Sequence, residues 1–333
     1  MNTTVSFPGL GIGEFTMDRV AFTLLGRDVY WYGIIIMLGI VAAFIHATLR
    51  AKQEGIKVDD ILDIGIWAVV CGVIGARSYY VLTTLDTGNY QNFIDVIAIW
   101  DGGIAIYGAV IGGALAVLGV CLYKHLGPLK VMDTIAPGVM IAQAIGRWGN
   151  FVNGEAYGYE LTPSNPLYTF RMGIVSHFTD AQMRYYHPTF LYESLWNLVG
   201  FALITALYRK KKFNGQVVMA YFAWYGFGRM FIEGLRTDSL YVGPFRISQV
   251  VGALCFVGGV AAIIICTVFV RRGKFLPQLA VCWAEDMPGE TVDANEEASS
   301  LAMQETTDAD AATPDTENLS TDGEDPAEEH PID

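Results

Sequence analysis

The stretch from Ile247 to Val270 reads ISQVVGALCFVGGVAAIIICTVFV and contains no charged residue. A helix needs about 20 apolar residues to cross the ~30 Å hydrocarbon core of a bilayer, and this stretch is longer than that. The stretch from Gly102 to Tyr123 is also free of charge. Two such runs in one chain indicate an integral membrane protein.

Five further apolar runs extend the pattern along the chain. They are Val29–Leu49, Ile61–Leu85, Val131–Gly146, Pro188–Tyr208 and Gln216–Ile232. Asp133 and Pro137 weaken the third of these, which is also the shortest. The runs could be buried helices of a large soluble protein, but seven of them in 333 residues disfavour that interpretation. The sequence therefore predicts an all-α integral membrane protein with a bundle of about seven transmembrane helices.

The charge of the chain is divided between two regions. The 34 Asp and Glu outnumber the 21 Lys and Arg, giving a formal net charge of −13, although 53% of the residues are hydrophobic. Residues 280–333 hold 17 of the acidic residues and no Lys or Arg, which leaves +4 for residues 1–279. We therefore expect a mildly basic body and an acidic tail too polar to fold. This pattern argues against a soluble acidic enzyme and against nucleic-acid binding, which needs a basic surface.

All eight lysines lie in alternate connections between the predicted helices or beyond the last one. Because cytoplasmic loops are enriched in Lys and Arg, we expect these connections to be cytoplasmic. Residues 1–28 would then be an extracytoplasmic N-terminal segment. Residues 29–275 would form the seven-helix catalytic body, with an outer-face loop at 148–187. Residues 276–333 would be a disordered acidic cytoplasmic tail.

Nine arginines lie outside these basic connections, and the expected topology places them towards the outer face. They are Arg19, Arg27, Arg77, Arg147, Arg171, Arg184, Arg229, Arg236 and Arg246. The planar guanidinium binds pairs of phosphate oxygens, so outer arginines suit an anionic ligand. They could equally anchor helices at the membrane surface or form ion pairs within the bundle.

Ionisable side chains from the first six predicted helices converge on the outer half of the bilayer. They are Tyr32, Arg77, Tyr107, Arg147, His187, Glu193, Arg229 and Glu233. Such groups are costly at membrane depth and usually functional. Arg229 and Glu233 share a helix face, and Arg236 follows three residues later. The excess of arginine over carboxylates favours an outer pocket for a phosphate or another anionic headgroup.

The densest motif is GRWGNFVNGE, from Gly146 to Glu155, followed by Tyr157 and Gly158. Its glycines permit close approach of the backbone, and the amides of Asn150 and Asn153 can donate to oxygens. As a general pattern it would be the end of a helix and a turn. The exact string of residues is a more specific indication of function than this general pattern is.

This string resembles the signature of bacterial prolipoprotein diacylglyceryl transferases. Four further segments resemble motifs of that family in the same order: Trp31–Gly33, Trp100–Gly103 continuing to Tyr107 and Gly108, His187–Glu193, and Tyr225–Arg236. The resemblance covers about residues 29–270. The acidic tail has no counterpart in it.

The resemblance implies a multi-pass enzyme of the bacterial plasma membrane. It would transfer the diacylglyceryl group of phosphatidylglycerol to the thiol of the lipobox cysteine in a prolipoprotein. A thioether would form and glycerol 1-phosphate would leave. The implied partners are phosphatidylglycerol, the prolipoprotein and membrane lipids, without nucleic acid, metal or diffusible cofactor.

The resemblance also implies a set of site residues. Arg147 and Arg229 would stabilise negative charge on the leaving phosphate, and Glu233 would position Arg229. Tyr107 is the third candidate catalytic residue. The candidates for substrate binding are Arg147, Tyr32, Asn150, Asn153, Glu155, Gly158, Glu233, Arg236 and His187.

Tyr107 departs from the family pattern, because many members carry at this position a histidine that has been proposed as the base. A phenol is protonated at neutral pH, so Tyr107 could take the thiol proton only if the arginines favour its ionised form. We favour the alternative that it hydrogen-bonds the phosphate, with water in the field of the arginines taking the proton. His187 is a possible substitute base, but a structural histidine beside Pro188 is the simpler interpretation.

Three other classes of membrane protein compete with a transferase. A transporter or lipid scramblase needs polar residues along its full depth, whereas here they cluster on one side. An intramembrane protease is disfavoured because the sequence has no HExxH, no GxSxG and no aspartate pair at matching depth. A scaffold protein would leave the outer arginines unexplained.

Overall fold

The computed structural model describes residues 2–87, 90–175, 182–237 and 239–272. The predicted acidic tail, residues 276–333, lies outside these described residues. The last three residues of the predicted body, 273–275, lie outside them as well.

Helices dominate the described residues. In chain order they are α1 (Trp31–Glu54), α2 (Val58–Thr83), α3 (Phe93–Ile97), α4 (Ile106–Tyr123), α5 (Pro128–Asn153), α6 (Thr189–Leu207), α7 (Gln216–Leu235) and α8 (Ile247–Arg271). All except α3 overlap one of the seven predicted apolar runs. By length and composition α1, α4, α8 and the helical stretch from Thr189 to Lys210 can each cross a membrane. The protein is therefore a mostly helical membrane protein.

Helix α5 is longer than the sequence predicted. The predicted run ended at Gly146, but the helix continues through RWGNFVN to Asn153. Pro137 lies inside the helix and is buried, so the bundle around it tolerates the hydrogen bond that a proline removes. The predicted outer-face loop, 148–187, therefore begins six residues too early, and its first six residues belong to a helix.

The prediction of an all-α protein is corrected by short antiparallel strands. They are β1 (Asn2–Phe7), β2 (Ile12–Asp18), β3 (Val20–Leu24), β4 (Arg27–Tyr30), β5 (Met172–Val175), β6 (Arg184–Tyr186), β7 (Tyr241–Val242) and β8 (Phe245–Arg246). Four of them form one sheet in the order β2-β1-β5-β6, and the other four form two hairpins. In the sequence, the hydrophobic pattern of such short strands is much weaker than the long apolar runs of the helices.

The four-stranded sheet joins two regions that are far apart in sequence. Val5 of β1 lies opposite Ile174 of β5, so the N-terminal segment pairs with the connection between α5 and α6. Val5 and Phe7 alternate along β1 and pack with Ile174 and with Phe190 in the first turn of α6. The sheet therefore covers the end of the bundle where α5 ends and α6 begins.

Close contacts between glycines hold the helices in pairs. Helix α2 packs along α4, α1 along α5 and α7 along α8. A Cβ atom at Gly75 or Gly108 would overlap the backbone of the other helix of the first pair. Gly226 of α7 faces the backbone of Gly252 in α8 in the same way. Small residues let helices approach closely where lipid offers no hydrophobic driving force.

A buried ion cluster fixes the end of the bundle where α1 ends and α5 and α7 begin. Lys211 Nζ lies 2.6 Å from Glu54 and 3.4 Å from Asp133, and all three side chains are almost fully buried. Asp133 also accepts hydrogen bonds from the backbone N–H groups of Gly215 and Val218, at the start of α7. Asp133 weakened the sequence prediction of α5. In the structure its carboxylate binds the N-terminus of α7.

The glycine contact between α2 and α4 predicts a position-specific loss of stability. We expect Gly108→Ala to lower the stability by about 1–3 kcal/mol, because the added methyl group meets the backbone of α2. Gly119→Ala on the same helix is the matched control, since nothing lies within 4 Å of a Cβ there. Thermal unfolding of both variants in one detergent measures the difference. Equal midpoints would contradict the close approach.

Candidate active site

One buried carboxylate gathers three arginines at the end of the bundle covered by the sheet. Glu193 of α6 lies 2.6 Å from Arg147 of α5, 3.0 Å from Arg229 of α7 and 3.2 Å from Arg236. Only 7% of the Glu193 side chain is exposed. We call these four residues, together with Glu233, the arginine cluster.

The arginine cluster carries an excess of positive charge. Glu233 lies 2.8 Å from Arg229, one turn earlier on the same helix, as the four-residue spacing predicted. Among the described residues, the cluster thus comprises three guanidinium groups and two carboxylates. In a site of low dielectric the remaining positive charge acts on a nearby anion more strongly than it would in water.

The motif at the end of α5 folds back towards the arginine cluster. Gly154 ends the helix with a φ of 61°, in the left-handed region that favours glycine. Glu155 then turns back, and its Oε1 accepts hydrogen bonds from Asn150 Nδ2 at 3.1 Å and from Asn153 Nδ2 at 3.2 Å. Asn150 Oδ1 in turn accepts a long, 3.5 Å hydrogen bond from Arg147. The four motif residues thus form one polar chain.

Tyr32 reaches the same motif from the first turn of α1. A Cβ at Gly149 would lie 2.9 Å from the Tyr32 ring, so the glycine makes room for it. The Tyr32 hydroxyl also lies within electrostatic range of Glu155 and Arg147. The structure therefore brings Tyr32 beside the predicted site residues on α5.

Gly158 and His187 form the wall between the outer connection and the start of α6. Gly158 N–H donates to the carbonyl oxygen of His187 at 2.9 Å, and Gly158 also forms a backbone bridge with Arg236. A Cβ at Gly158 would lie 2.6 Å from the Cβ of His187 and 2.8 Å from the carbonyl oxygen of Leu235. This position therefore requires glycine for a steric reason.

The side chain of His187 is buried, and its Nδ1 lies 3.4 Å from the hydroxyl of Tyr192. Burial lowers the pKa of the imidazole below its usual value. Burial therefore favours the neutral form of His187. Its backbone bonds to Gly158 and Tyr159 hold the outer connection to α6.

Arg246 closes the end of α7. Its guanidinium donates to the carbonyl oxygen of Glu233, to Tyr241 Oη at 2.7 Å and to Tyr159 Oη at 2.6 Å. A cation beside the last carbonyls of a helix is stabilised by the helix dipole. Arg246 thus holds the hairpin of β7 and β8 and the outer connection against the helix that carries Arg229.

Two residues predicted near the outer site have other partners. Tyr107 Oη makes a long, 3.4 Å hydrogen bond to Ser248 in the first turn of α8. Arg77 donates to the backbone carbonyls of Asp95, Val96, Gly102 and Gly103, which fixes the segment before α4. Arg77 was expected to add positive charge to the outer pocket, whereas its hydrogen-bond partners among the described residues are backbone carbonyls.

Glu193 is the site residue that the sequence prediction left out. It was counted only as a charge that an arginine could neutralise. A signal was available, since Glu193 is the only charged residue between Pro188 and Tyr208. A single carboxylate in an apolar helix needs cationic partners, and the predicted arginines could supply them.

A groove of about 470 Å³ lies where α2 begins and α4 ends. It is lined by Asp63, Trp67 and Lys124, among others. Lys124 is paired there with Asp60 at 2.7 Å and with Asp63. The two charged residues that line the groove, Asp63 and Lys124, are paired with each other. Size alone does not make it the site.

Fold and arginine cluster together define a membrane protein with a buried, arginine-rich polar site. The chain matches the family model described as prolipoprotein diacylglyceryl transferase over residues 19–265 and belongs to that family. The resemblance inferred from the five ordered motifs is therefore confirmed, and the chain is a transferase by family.

Proteins named phosphatidylglycerol–prolipoprotein diacylglyceryl transferase are similar to most of the chain. The protein of Limosilactobacillus reuteri is 45% identical over 263 residues, which cover 78% of this chain and 94% of the relative. That of Finegoldia magna is 43% identical over 245 residues, covering 73% and 94%. A protein of Clostridium perfringens with the same name and the number 1 is 43% identical over 267 residues, covering 78% and 97%.

The geometry predicts that the stability of the protein depends on Glu193. We expect Glu193→Gln to cost about 3–5 kcal/mol, because it removes one partner from buried ion pairs. Glu160→Gln is the matched control, since Glu160 and Arg184 form an exposed pair at 3.9 Å, and such pairs contribute about 0–1 kcal/mol. Thermal unfolding in detergent compares the two. A loss no larger than that of the control would show that the arginines do not depend on Glu193.

Proposed function

We propose that this protein transfers the diacylglyceryl group of phosphatidylglycerol to the lipobox cysteine of a prolipoprotein. The observation that carries the proposal is the arginine cluster, which three arginines of the recognised motifs form around Glu193. The names of the relatives supply the donor and the acceptor class.

The reaction follows from the charges in the site. The thiolate sulfur attacks the diacylglyceryl carbon bonded to the phosphate oxygen, so a carbon–sulfur bond forms as the carbon–oxygen bond breaks. The electron pair of the broken bond passes to the phosphate, and glycerol 1-phosphate leaves. Negative charge therefore grows on the phosphate, where preorganised guanidinium groups stabilise it best.

Each site residue has a proposed part in this reaction. Arg147 and Arg229 bind the phosphate, Glu233 and Glu193 hold the guanidinium groups in place, and Arg236 adds charge from beyond α7. Asn150, Asn153, Glu155 and Gly158 shape the headgroup pocket beside them. Tyr32 binds lipid or acceptor substrate at the start of α1.

None of the predicted site residues is a strong base that could accept the proton of the thiol. His187 is buried and hydrogen-bonded within the wall of the site, so its part is structural. Tyr107 lies at the start of α4 beside Ser248 and acts as a hydrogen-bond donor to the phosphate. The arginine cluster favours the thiolate, and water carries the proton away.

We also propose that all seven long helices cross the membrane, with the arginine cluster at the outer face. The placement of all eight lysines in alternate connections supports this orientation. Residues 1–28 and the connection after α5 then form an extracytoplasmic cover, and the acidic residues 276–333 form a cytoplasmic tail.

The proposal predicts a defined product in a purified system. Wild-type protein in phosphatidylglycerol vesicles should convert a synthetic lipobox peptide to its diacylglyceryl thioether, with one glycerol 1-phosphate released per thioether. Mass spectrometry of the peptide and an assay of the released phosphate ester measure the two products. Folded protein that gives neither product would contradict the proposed function.

Two arginine variants show whether a loss of activity in this assay is specific to the site or follows from removing any positive charge. Arg147→Ala should lower turnover by about 100-fold or more, as loss of a charge-stabilising donor does in other enzymes. Arg184→Ala is the matched control, because Arg184 takes part in an exposed ion pair away from the arginine cluster. Turnover near that of wild type in Arg147→Ala would remove Arg147 from its proposed part.

Replacement of Tyr107 tests whether its hydroxyl donates a hydrogen bond or takes the proton. We expect Tyr107→Phe to lower kcat by about tenfold, as loss of one hydrogen bond to a charged group does, and to leave the shape of the pH–rate profile unchanged. Tyr107→His, which restores a donor, should recover most of the activity. Full activity in Tyr107→Phe would show that the hydroxyl is not used, and loss of the rise in rate with increasing pH would identify it as the base.

A further inference from the structure

A small cavity lies beside the arginine cluster, between α6 and α7. It is lined by Glu193 and Arg229 of the cluster and by Trp196, Asn197 and Tyr225. Its volume is about 10 Å³, close to the smallest space that holds a single water-sized group. The cavity is therefore large enough for one hydroxyl group and too small for a phosphate.

Asn197 is one of the residues that line this cavity. Its side chain is only 5% exposed, and no group in residues 2–87, 90–175, 182–237 or 239–272 hydrogen-bonds its Oδ1. Buried polar atoms nearly always have a partner, so one that lacks it points to a ligand. An amide can both donate and accept, which suits a hydroxyl group.

The walls of the cavity are held in a fixed shape. The rings of Trp196 and Trp224 stack with their centroids 4.3 Å apart. Each indole N–H donates to the backbone carbonyl of the other tryptophan at 3.0 Å. This reciprocal pair locks α6 to α7 beside Asn197, so the cavity is preorganised.

The position of Asn197 matches the geometry of a glycerol headgroup. Asn197 follows Glu193 by four residues on α6, which places it about 6 Å deeper along the helix. A phosphate held at the arginines would have its three-carbon glycerol within reach of this depth.

We propose that Asn197 binds a hydroxyl of the donor's glycerol headgroup and thereby selects phosphatidylglycerol among anionic and zwitterionic phospholipids. The proposal rests on the proposed function. It adds to that function the residue that recognises the glycerol headgroup of the donor. Arg147 and Arg229 bind the phosphate that many phospholipids share, whereas Asn197 binds the part that distinguishes this donor.

The test compares two donors that differ only in the headgroup hydroxyls. Vesicles of phosphatidylglycerol and of phosphatidylpropanol, a phosphodiester with a plain propyl headgroup, are offered with the same lipobox peptide. Wild type should prefer phosphatidylglycerol, because a site built to bond a hydroxyl discriminates against a donor that lacks it. Asn197→Leu should lower kcat/KM for phosphatidylglycerol by about tenfold or more and leave that for phosphatidylpropanol unchanged.

Thr205→Val is the matched control on the same helix. The Thr205 hydroxyl is also buried without a hydrogen-bond partner among the described residues, but it lies two turns beyond Asn197. We expect this variant to keep the wild-type preference. If Asn197→Leu does not fold, Asn197→Ala allows the same comparison.

Inhibition by the released headgroup provides a second measurement that does not need turnover of phosphatidylpropanol. Wild type should be inhibited by glycerol 1-phosphate at lower concentration than by propyl phosphate, and Asn197→Leu should be inhibited equally by both. An equal loss with both donors, or an unchanged preference in Asn197→Leu, would overturn the proposal. A wild type that is inactive on phosphatidylglycerol would instead overturn the proposed function and this inference with it.

Discussion

The carboxylate of Glu193 is the constraint on which the site depends. Arginines from α5, from α7 and from the residue after α7 all reach it, so the ends of three helices share one small anion. A buried charge that loses its partner is costly, and each arginine would become such a charge if its helix moved. Glu193 therefore sets the register of the three helices at this end, and the site exists only when all of them are in place.

A second buried ion cluster fixes α5 and α7 at their other ends and joins them to α1. Lys211, Glu54 and Asp133 join the end of α1 to the beginnings of α5 and α7. Between the two clusters the helices meet through glycines and aromatic rings, which have no charge to satisfy. Helices α5 and α7 are thus held at both ends by electrostatics and along their length by shape. Such an arrangement suits a site whose arginines must stay in place while charge develops on the substrate.

The sequence predicted the long helices because apolar length is a local property that needs no knowledge of packing. It predicted the proximity of Arg229 and Glu233 for the same reason, since both lie on one helix face. It placed the end of α5 too early because glycine and asparagine favour turns, whereas Gly149 serves in the helix to make room for Tyr32. The strands and the partners of Glu193 and Arg77 depend on contacts between distant segments, and hydropathy carries no information about those.

The pairing of β1 with β5 has a consequence for the timing of biosynthesis. Strand β1 precedes four long helices in the chain, yet it occupies the middle of a sheet whose other half, β5 and β6, follows those helices. Strand β1 can pair with β2 at once, but its edge towards β5 stays unpaired until those helices have been made. Contacts this distant in sequence form slowly, and the closing of the sheet would mark the moment at which the first half of the molecule is complete.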